Sequence, residues 1–345
     1  MEKQVSIGLL LYPGVQLAAV HGLSDLFFTA NRIAMEKSPR TASPLHLSHW
    51  QVDAGSGKLN SGTVDIVEAI VEVSENNKQN SPTQLTVVIV PPNLESRGTD
   101  IPDPVLLDWL KTQHQGGAIL CSVCTAAFIL ARTGLLDGRP VTTHWALKET
   151  LAAQFPRIRV QTEQMVIEDG EIITAGGVTA WMDLGLRLID RFLGPSVMLE
   201  VAQFFLVDPS GREQRAYSKF SPQFNHGDDA ILAVQHWLQT HYTNPISIAD
   251  MANVAVLGER TFLRRFKKIT GINPTAYLQA LRVGKAREML EFSQRSFREI
   301  AWEVGYEDQS GFRKVFQRMM GLTPSEYRRR FAVRGKTSPS GRHQL

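Results

Sequence analysis

SIADMANVAVLGERTFLRRFKKITGINPTAY, residues 247–277, is followed by a diverged copy of itself, SFREIAWEVGYEDQSGFRKVFQRMMGLTPSEY, residues 296–327. The pairs Ala252/Ala301, Phe262/Phe312, Phe266/Phe316, Gly271/Gly321, Pro274/Pro324 and Tyr277/Tyr327 keep step, apart from one residue gained in the second copy between Ala301 and Phe312. One structural unit is therefore used twice. Each copy reads as helix, turn, helix. Ile248, Met251, Ala252 and Ala255 fall at helical spacing, Leu257-Gly258 interrupts, and Phe262, Leu263 and Phe266 resume the apolar period. In the second copy Ile300, Ala301 and Val304 precede Gly305, and Phe312, Val315 and Phe316 follow it. Gly271 and Gly321, each with a proline three residues on, read as C-caps followed by a stop.

A helix pair with a short glycine-containing turn is the geometry whose second helix enters the DNA major groove. The polar residues of these second helices support that use. Arg260, Arg264, Arg265, Lys267 and Lys268 crowd the first, and Arg313, Lys314 and Arg318 the second, with almost no acid past the first turn. Residues 228–345 hold 19 Lys and Arg against 11 Asp and Glu, a net of +8, whereas residues 1–227 hold 18 against 23, a net of −5. The near-neutral total of +3 thus hides a basic C-terminal domain on an acidic partner, as phosphate attraction would require.

With these motifs the chain resembles the AraC/XylS family of bacterial transcription regulators over about residues 228–331. RTFLRRFKKITGINPTAYLQALRV (260–283) and IAWEVGYEDQSGFRKVFQRMMGLTPSEYRRRF (300–331) carry the resemblance. It implies two helix-turn-helix units in successive major grooves, joined by a long helix. Thr275–Phe292 supplies that helix, with Leu278, Leu281, Met289 and Leu290 as its apolar stripe. By position Arg260, Leu263 and Arg264 would face bases from the first unit, and Gln309, Arg313 and Lys314 from the second, with Lys268 and Arg318 touching DNA beside them. Arg and Lys match guanine's acceptor edge, Gln can pair with adenine, and Leu263 offers only apolar contact to a thymine methyl. A phosphate contact or plain solubility is the alternative for each basic residue. Gly258 stands where the family usually has a serine N-cap, a difference of only a few tenths of a kcal/mol.

The chain of 345 residues suits two or three domains. No apolar run reaches membrane length and MEKQVSIGLLLYPG lacks a signal-peptide pattern, so a cytoplasmic protein without a membrane partner is expected. Two cysteines are too few for a disulfide framework. Residues 208–227 (DPSGREQRAYSKFSPQFNHG) are polar and aperiodic and read as a linker, and residues 332–345 as a basic disordered tail.

Residues 1–207 alternate strand-like and helical stretches: strands Val5–Leu11, Leu85–Val90, Ala118–Cys121 and Val141–Thr143, a hairpin Met165–Ala175, and helices Leu17–Ala34, Val105–Thr112, Thr125–Thr133, Ala146–Ala153 and Ala180–Phe192. This is the rhythm of an α/β layered sheet, which places ligands at the C-terminal ends of its strands. Cys124 falls on a strand-to-helix transition, the position of a nucleophile elbow, with His144 twenty residues on. Together with YPGVQLAAVHGLSDLFFTANR (12–32) and ITAGGVTAWMDLGLRLIDRFL (173–193), the elbow segment resembles the PfpI superfamily, relatives of class I glutamine amidotransferases with a flavodoxin-like sheet. The combined architecture resembles the GlxA-type regulators within AraC/XylS, over nearly the whole chain. By position Cys124 and His144 match the superfamily's cysteine and histidine. Ala19 stands where many of its enzymes have an acid, and Ala126 where Gly is common. His21 and Asp25 are the nearby candidates to replace that acid.

A Cys–His pair without an orienting carboxylate lacks one part of the nucleophile–base–orienter arrangement. The N-terminal domain is therefore expected to be catalytically inactive, with Cys124 and His144 vestigial, and to bind a small effector. The resemblance implies an amino acid or a quaternary amine. Tyr12, Cys124, Thr125, His144, Trp145 and Trp181 are the candidate ligand-binding residues, the aromatic ones suiting a cationic group. No cofactor and no metal is expected, and the further partners are promoter DNA, a second copy of the chain and RNA polymerase. Other readings stay open: a Cys-dependent amidase or hydrolase with an accessory DNA-binding domain, a metabolite-independent architectural DNA binder, an ordinary buried thiol at Cys124, a redox pair in Cys121–Cys124, and core roles for Trp145 and Trp181.

Overall fold

The computed structural model describes residues 4–38, 42–52, 59–62, 84–95, 103–209 and 211–333. Two compact units follow each other, the first ending at Gln214 and the second opening at Arg215.

The first unit is a layered α/β domain. Strands β1 (Val5–Leu11), β2 (Leu45–Val52), β3 (Leu59–Gly62), β4 (Val87–Val90), β5 (Ile119–Val123), β8 (Val166–Asp169) and β9 (Ile172–Ala175) form one sheet in the order β3-β2-β1-β4-β5-β9-β8. Its central pairs β2–β1, β1–β4, β4–β5 and β5–β9 are parallel, and both edge pairs are antiparallel. Two short strands, β6 (Pro140–Val141) and β7 (Arg159–Val160), pair with each other. The side-chain period of two divides each central strand between two cores. Ile7, Leu9, Val87, Ile89, Ile119, Cys121 and Val123 meet α1 (Leu17–Lys37), α5 (Trp181–Leu193) and α6 (Pro195–Phe204) on one face. Leu10, Val88, Val90 and Leu120 meet α2 (Pro104–Gln115), α3 (Ala127–Arg132) and α4 (Lys148–Gln154) on the other.

The flavodoxin-like layering expected from the sequence is the one observed, with β2, β3, β7 and α6 added. The stretch expected to be one helix from Thr125 begins as a 3-10 turn, Cys124–Ala126, before α3.

The second unit is all helical: α7 (Asp229–His241), α8 (Ile248–Val254), α9 (Glu259–Thr270), α10 (Pro274–Phe292), α11 (Phe297–Glu303), α12 (Gln309–Met320) and α13 (Pro324–Phe331). It has two cores. Phe262, Phe266, Tyr277, Leu278 and Leu281 belong to the first, and Leu290, Phe312, Phe316 and Tyr327 to the second, so α10 contributes to both. Each helix-turn-helix unit is α8–α9 or α11–α12. Ser247 and Ser296 close capping boxes with Asp250 and Glu299 at the starts of α8 and α11, which satisfies helix-end N–H groups. Gly271 and Gly321 take left-handed conformations at the ends of α9 and α12, as their C-cap pattern predicts.

The two turns differ in one residue that spacing alone did not reveal. Gly305 carries the left-handed backbone of the second turn (φ +85°), whereas in the first it is Val256 (φ +53°), not Gly258, which is the extended N-cap of α9. A β-branched residue there stores on the order of 1–2 kcal/mol of strain. Val256 is 87% exposed, so its side chain contributes little packing in return. Val256→Gly is therefore expected to stabilise the second unit by about 1 kcal/mol, read as a higher urea midpoint for loss of its helical signal; a lower midpoint would contradict the assignment.

In the segment expected as a linker, 208–227, described residues on either side of the boundary at Gln214 make contacts within their own unit. Arg212 ion-pairs with Asp183 and Gln214 is 2% exposed in the first. In the second, Tyr217 packs on Phe331 and Phe220 on Tyr277. The expected tail lies, from residue 334 on, outside the described residues.

Candidate ligand site and nucleic-acid interface

The C-terminal ends of β1, β4 and β5 converge on Cys124. Asn93, in the loop after β4, is locked to the elbow by a reciprocal pair: its N–H donates to Thr125 Oγ1 (2.8 Å) and its carbonyl accepts from the same hydroxyl (3.0 Å). Asn93 Nδ2 donates to Pro13 O, tying in the loop after β1. Tyr12 reaches the same place and donates its hydroxyl to Pro91 O (2.5 Å).

Cys124 has φ +56°, a left-handed conformation for a residue other than glycine, which is the strained strand-to-helix turn expected of an elbow. The residue is only 3% exposed. Burial pushes the thiol up to about 11, outweighing the backbone N–H groups of Thr125, Gly177 and His144 that face the sulfur and stabilise a thiolate. Nothing acidic acts on this sulfur among the described residues. Ala19 is fully buried, while His21 and Asp25 are exposed on α1. His21 lies by His49, which burial and then the charge of His21 push down to about 4.

His144 meets the elbow through its backbone rather than its ring. Its Nδ1 accepts the Ala146 N–H (3.2 Å) and caps the 3-10 turn Trp145–Leu147, so the neutral ring carries its proton on Nε2. Thr143 donates its hydroxyl to Cys124 O (2.8 Å).

The aromatic candidates stand on three supports. Tyr12 packs with the core beneath α2–α4, Trp181 with the core beneath α1 and α5, and Trp145 beside the His144 ring at 5.3 Å. Trp181 fills the space above Gly22, where an added Cβ would lie 2.3 Å from the indole. Cys121 points from β5 into the same core, burial raises its thiol, and both cysteines are free. Asn93, Gly177, Thr143 and Gln214 complete the elbow's surroundings. Sequence reading missed them because each lies in a loop with no periodic or spacing signal.

In the second unit α9 buries Phe262 and Phe266 and presents Arg260, Leu263, Arg264, Lys267 and Lys268 to solvent. In α12 Phe312, Phe316 and Met320 are buried, Arg313 and Lys314 exposed, and Gln309 half-exposed at the first turn. Asp308 caps this helix through the Ser310 and Gly311 N–H groups. Two basic residues are engaged within the fold. Arg265 Nε pairs with Asp228 (2.5 Å), and Arg318 donates to Gln279 Oε1 (2.9 Å) on α10. Buried Arg282 donates to the carbonyls of Tyr242 and Asn244 (both 2.7 Å) between α7 and α8, and its guanidinium lies over the Tyr306 ring of the second turn, tying α10 to both. A groove of about 1440 Å³ runs between the starts of α8 and α11, lined in part by Ser247, Asp250, Arg298, Trp302 and Gln309. Its mixed charges separate it from the basic stripes.

No helix among the described residues is long and apolar enough to cross a membrane, and none of their His, Cys, Asp and Glu side chains gather in threes fit to hold a metal.

Residues 69–191 match the model of the DJ-1/PfpI family, and residues 251–330 that of a helix-turn-helix domain. The chain is thus a DJ-1/PfpI-type α/β domain followed by an AraC-type helix-turn-helix domain, the build of a helix-turn-helix transcriptional regulator. It is similar to the HTH-type transcriptional regulator CdhR of Pseudomonas aeruginosa, at 27% identity over 65% of this chain and 67% of that protein. It is also similar to the HTH-type transcriptional regulator GlxA of Rhizobium meliloti, at 29% over 64% of this chain and 68% of that one. Its similarity to the isonitrile hydratase of Pseudomonas putida, at 34% identity, covers 31% of this chain and 46% of the enzyme.

Proposed function

We propose that this chain is a cytoplasmic promoter-binding regulator, an activator that engages RNA polymerase and works as a homodimer, and that a small effector at the elbow sets its DNA-binding state. The observation that carries the DNA half is the pair of exposed basic stripes on α9 and α12, each opposite two buried phenylalanines. Arg260, Leu263, Arg264, Gln309, Arg313 and Lys314 are the base-reading set and Lys268 a phosphate contact. Arg318 serves α10 first.

The effector half rests on the elbow. Tyr12, Cys124, Thr125, His144, Trp145 and Trp181 are its ligand residues in this reading; what supports it is that Tyr12 lies within electrostatic reach of Cys124, that backbone N–H groups converge at the sulfur, and that the Trp145 ring lies beside the His144 ring. Such donors suit a carboxylate, which amino acids and betaine-like quaternary amines share, and the half-buried Trp145 ring suits the cationic end. Equal affinity of effector for both DNA-binding states would shift nothing, so the site must differ between them.

The domain does no chemistry in this reading. With the thiol pushed up to about 11, on the order of one molecule in ten thousand carries thiolate near neutral pH. Alkylation of Cys124 by iodoacetamide, followed by mass spectrometry, should therefore rise with pH toward a midpoint near 11. Cys124→Ser should keep DNA binding and reporter activation. A midpoint below about pH 8, together with loss of activation in Cys124→Ser, would restore the Cys-dependent amidase or hydrolase.

A further inference from the structure

We propose that Asp228 is a specificity-determining residue of the helical domain: it withholds Arg265 of α9 from DNA phosphates, so that this recognition helix is drawn to bases rather than to any duplex. This rests on the regulator reading, and every contact it uses lies within the second unit.

Asp228 precedes the first turn of α7 and is buried although it carries a charge. Its two carboxylate oxygens have different tasks. Oδ1 accepts the Ile231 N–H (3.1 Å) as the helix cap, and Oδ2 accepts the Arg265 Nε–H (2.5 Å) from α9. The backbone of Asp228 is held too. Its N–H donates to His226 Nδ1 (3.1 Å), so the His226 proton sits on Nε2 and is donated to Gln235 Oε1 (2.7 Å). Gln235, buried on α7, donates Nε2 to Gln223 O (3.1 Å) and to the Tyr277 hydroxyl (3.2 Å). Tyr277 packs edge-on against Phe266, the α9 residue next to Arg265. The carboxylate therefore stands in a ring of contacts that begins and ends on α9. It cannot swing after the arginine, and departure of the arginine would leave a buried charge without its cation, which is the costlier state.

Arg265 has the charge and the position of a phosphate contact. It stands at i, i+3 spacing from Lys268 on α9, and its side chain is 43% exposed. Its Nε nevertheless turns back to the fold. The sequence repeat shows that this position borders the fold in both units. With Phe266 matched to Phe316, Arg265 matches Val315, which packs on the second core. An apolar side chain thus closes that border of α12, whereas at the same border of α9 a cation stands and Asp228 neutralises it. A cation that meets phosphate releases counterions from every sequence alike, so it adds affinity without preference. Holding Arg265 on Asp228 removes that contribution and leaves the proposed base readers Arg260 and Arg264 to decide where α9 settles.

The test uses the full chain and two duplexes, one selected from random DNA and one of scrambled sequence. Affinities are read by fluorescence anisotropy from about 50 to about 200 mM salt. Asp228→Asn keeps an oxygen for the Ile231 N–H but removes the charge that holds Arg265, and asparagine caps helices as well as aspartate does. It should steepen the log–log salt slope on the scrambled duplex by about 1 and tighten binding there about tenfold at the low-salt end. The selected duplex, where base contacts already seat α9, should gain less than about twofold, so the affinity ratio falls about fivefold. Arg265→Met should leave the slope of the unaltered chain unchanged, and in its background Asp228→Asn should change either affinity by less than about twofold. Either variant decides alone should the other unfold the domain. A slope made shallower by about 1 in Arg265→Met would mean that Arg265 already touches phosphate, which overturns the proposal. An Asp228→Asn effect that survives in the Arg265→Met background, or no effect in the unaltered one, overturns it as well. If the unaltered chain binds no duplex, the regulator reading itself fails, and the proposal with it.

Discussion

Raising salt from about 50 to about 200 mM should lower the affinity of the full chain for a selected duplex by roughly 10³-fold. The figure comes from the exposed cations that face away from the two cores: Arg260, Arg264, Lys267, Lys268, Arg313 and Lys314. If all six release counterions, the log–log slope is about −5, and a fourfold rise in salt gives about three decades. Arg265 and Arg318 are left out because Asp228 and Gln279 already hold them. Fluorescence anisotropy across the salt range reads the slope directly. A loss of less than about tenfold would mean that these stripes do not meet phosphates or bases.

Arg264→Ala and Arg313→Ala should each weaken binding to the selected duplex by about 10- to 100-fold and relax preference at one base pair. Both side chains are exposed on the second helices, one turn or so in from the N-terminus, where a recognition helix reaches base edges. A guanidinium bidentate to guanine discriminates by about 1–3 kcal/mol. Arg313 also lies over the Phe297 ring, which orients it. Lys268→Ala is the contrast: a phosphate contact should weaken every sequence alike and reduce the salt slope by about 1. Repeating the selection with each variant separates the cases. Unchanged base preferences in both arginine variants would place them on the DNA backbone.

The parts of the fold that sequence reveals are those with an uninterrupted period. β1, β4 and β5 are apolar runs flanked by turns, and the repeat announces both helix-turn-helix units and α10 between them. β2 escapes because its buried residues are partly polar. Ser48 donates to Ile7 O and accepts from Trp50 Nε1, so satisfied hydroxyl and indole groups replace the aliphatic pattern. The elbow at Cys124 is legible because a strand-to-helix transition has its own sequence form. Its companions Asn93 and Gln214 are not, since they arrive from loops whose path only tertiary packing decides. Trp181 packs on Gly22, a contact that the sequence does not announce. Val256 takes the left-handed turn position beside a glycine that looked made for it, which no propensity rule anticipates.

If α9 and α12, held together by α10, read one DNA face, the motif this chain prefers must have two parts. Selection of random duplexes by the full chain, with the bound pool sequenced, tests this most directly. The predicted result is a bipartite motif, two elements of about 3–4 base pairs whose centres lie about 10 base pairs apart. Guanine preference should then disappear from one element in Arg264→Ala and from the other in Arg313→Ala. A single continuous element, or no enrichment over the starting pool, would contradict it.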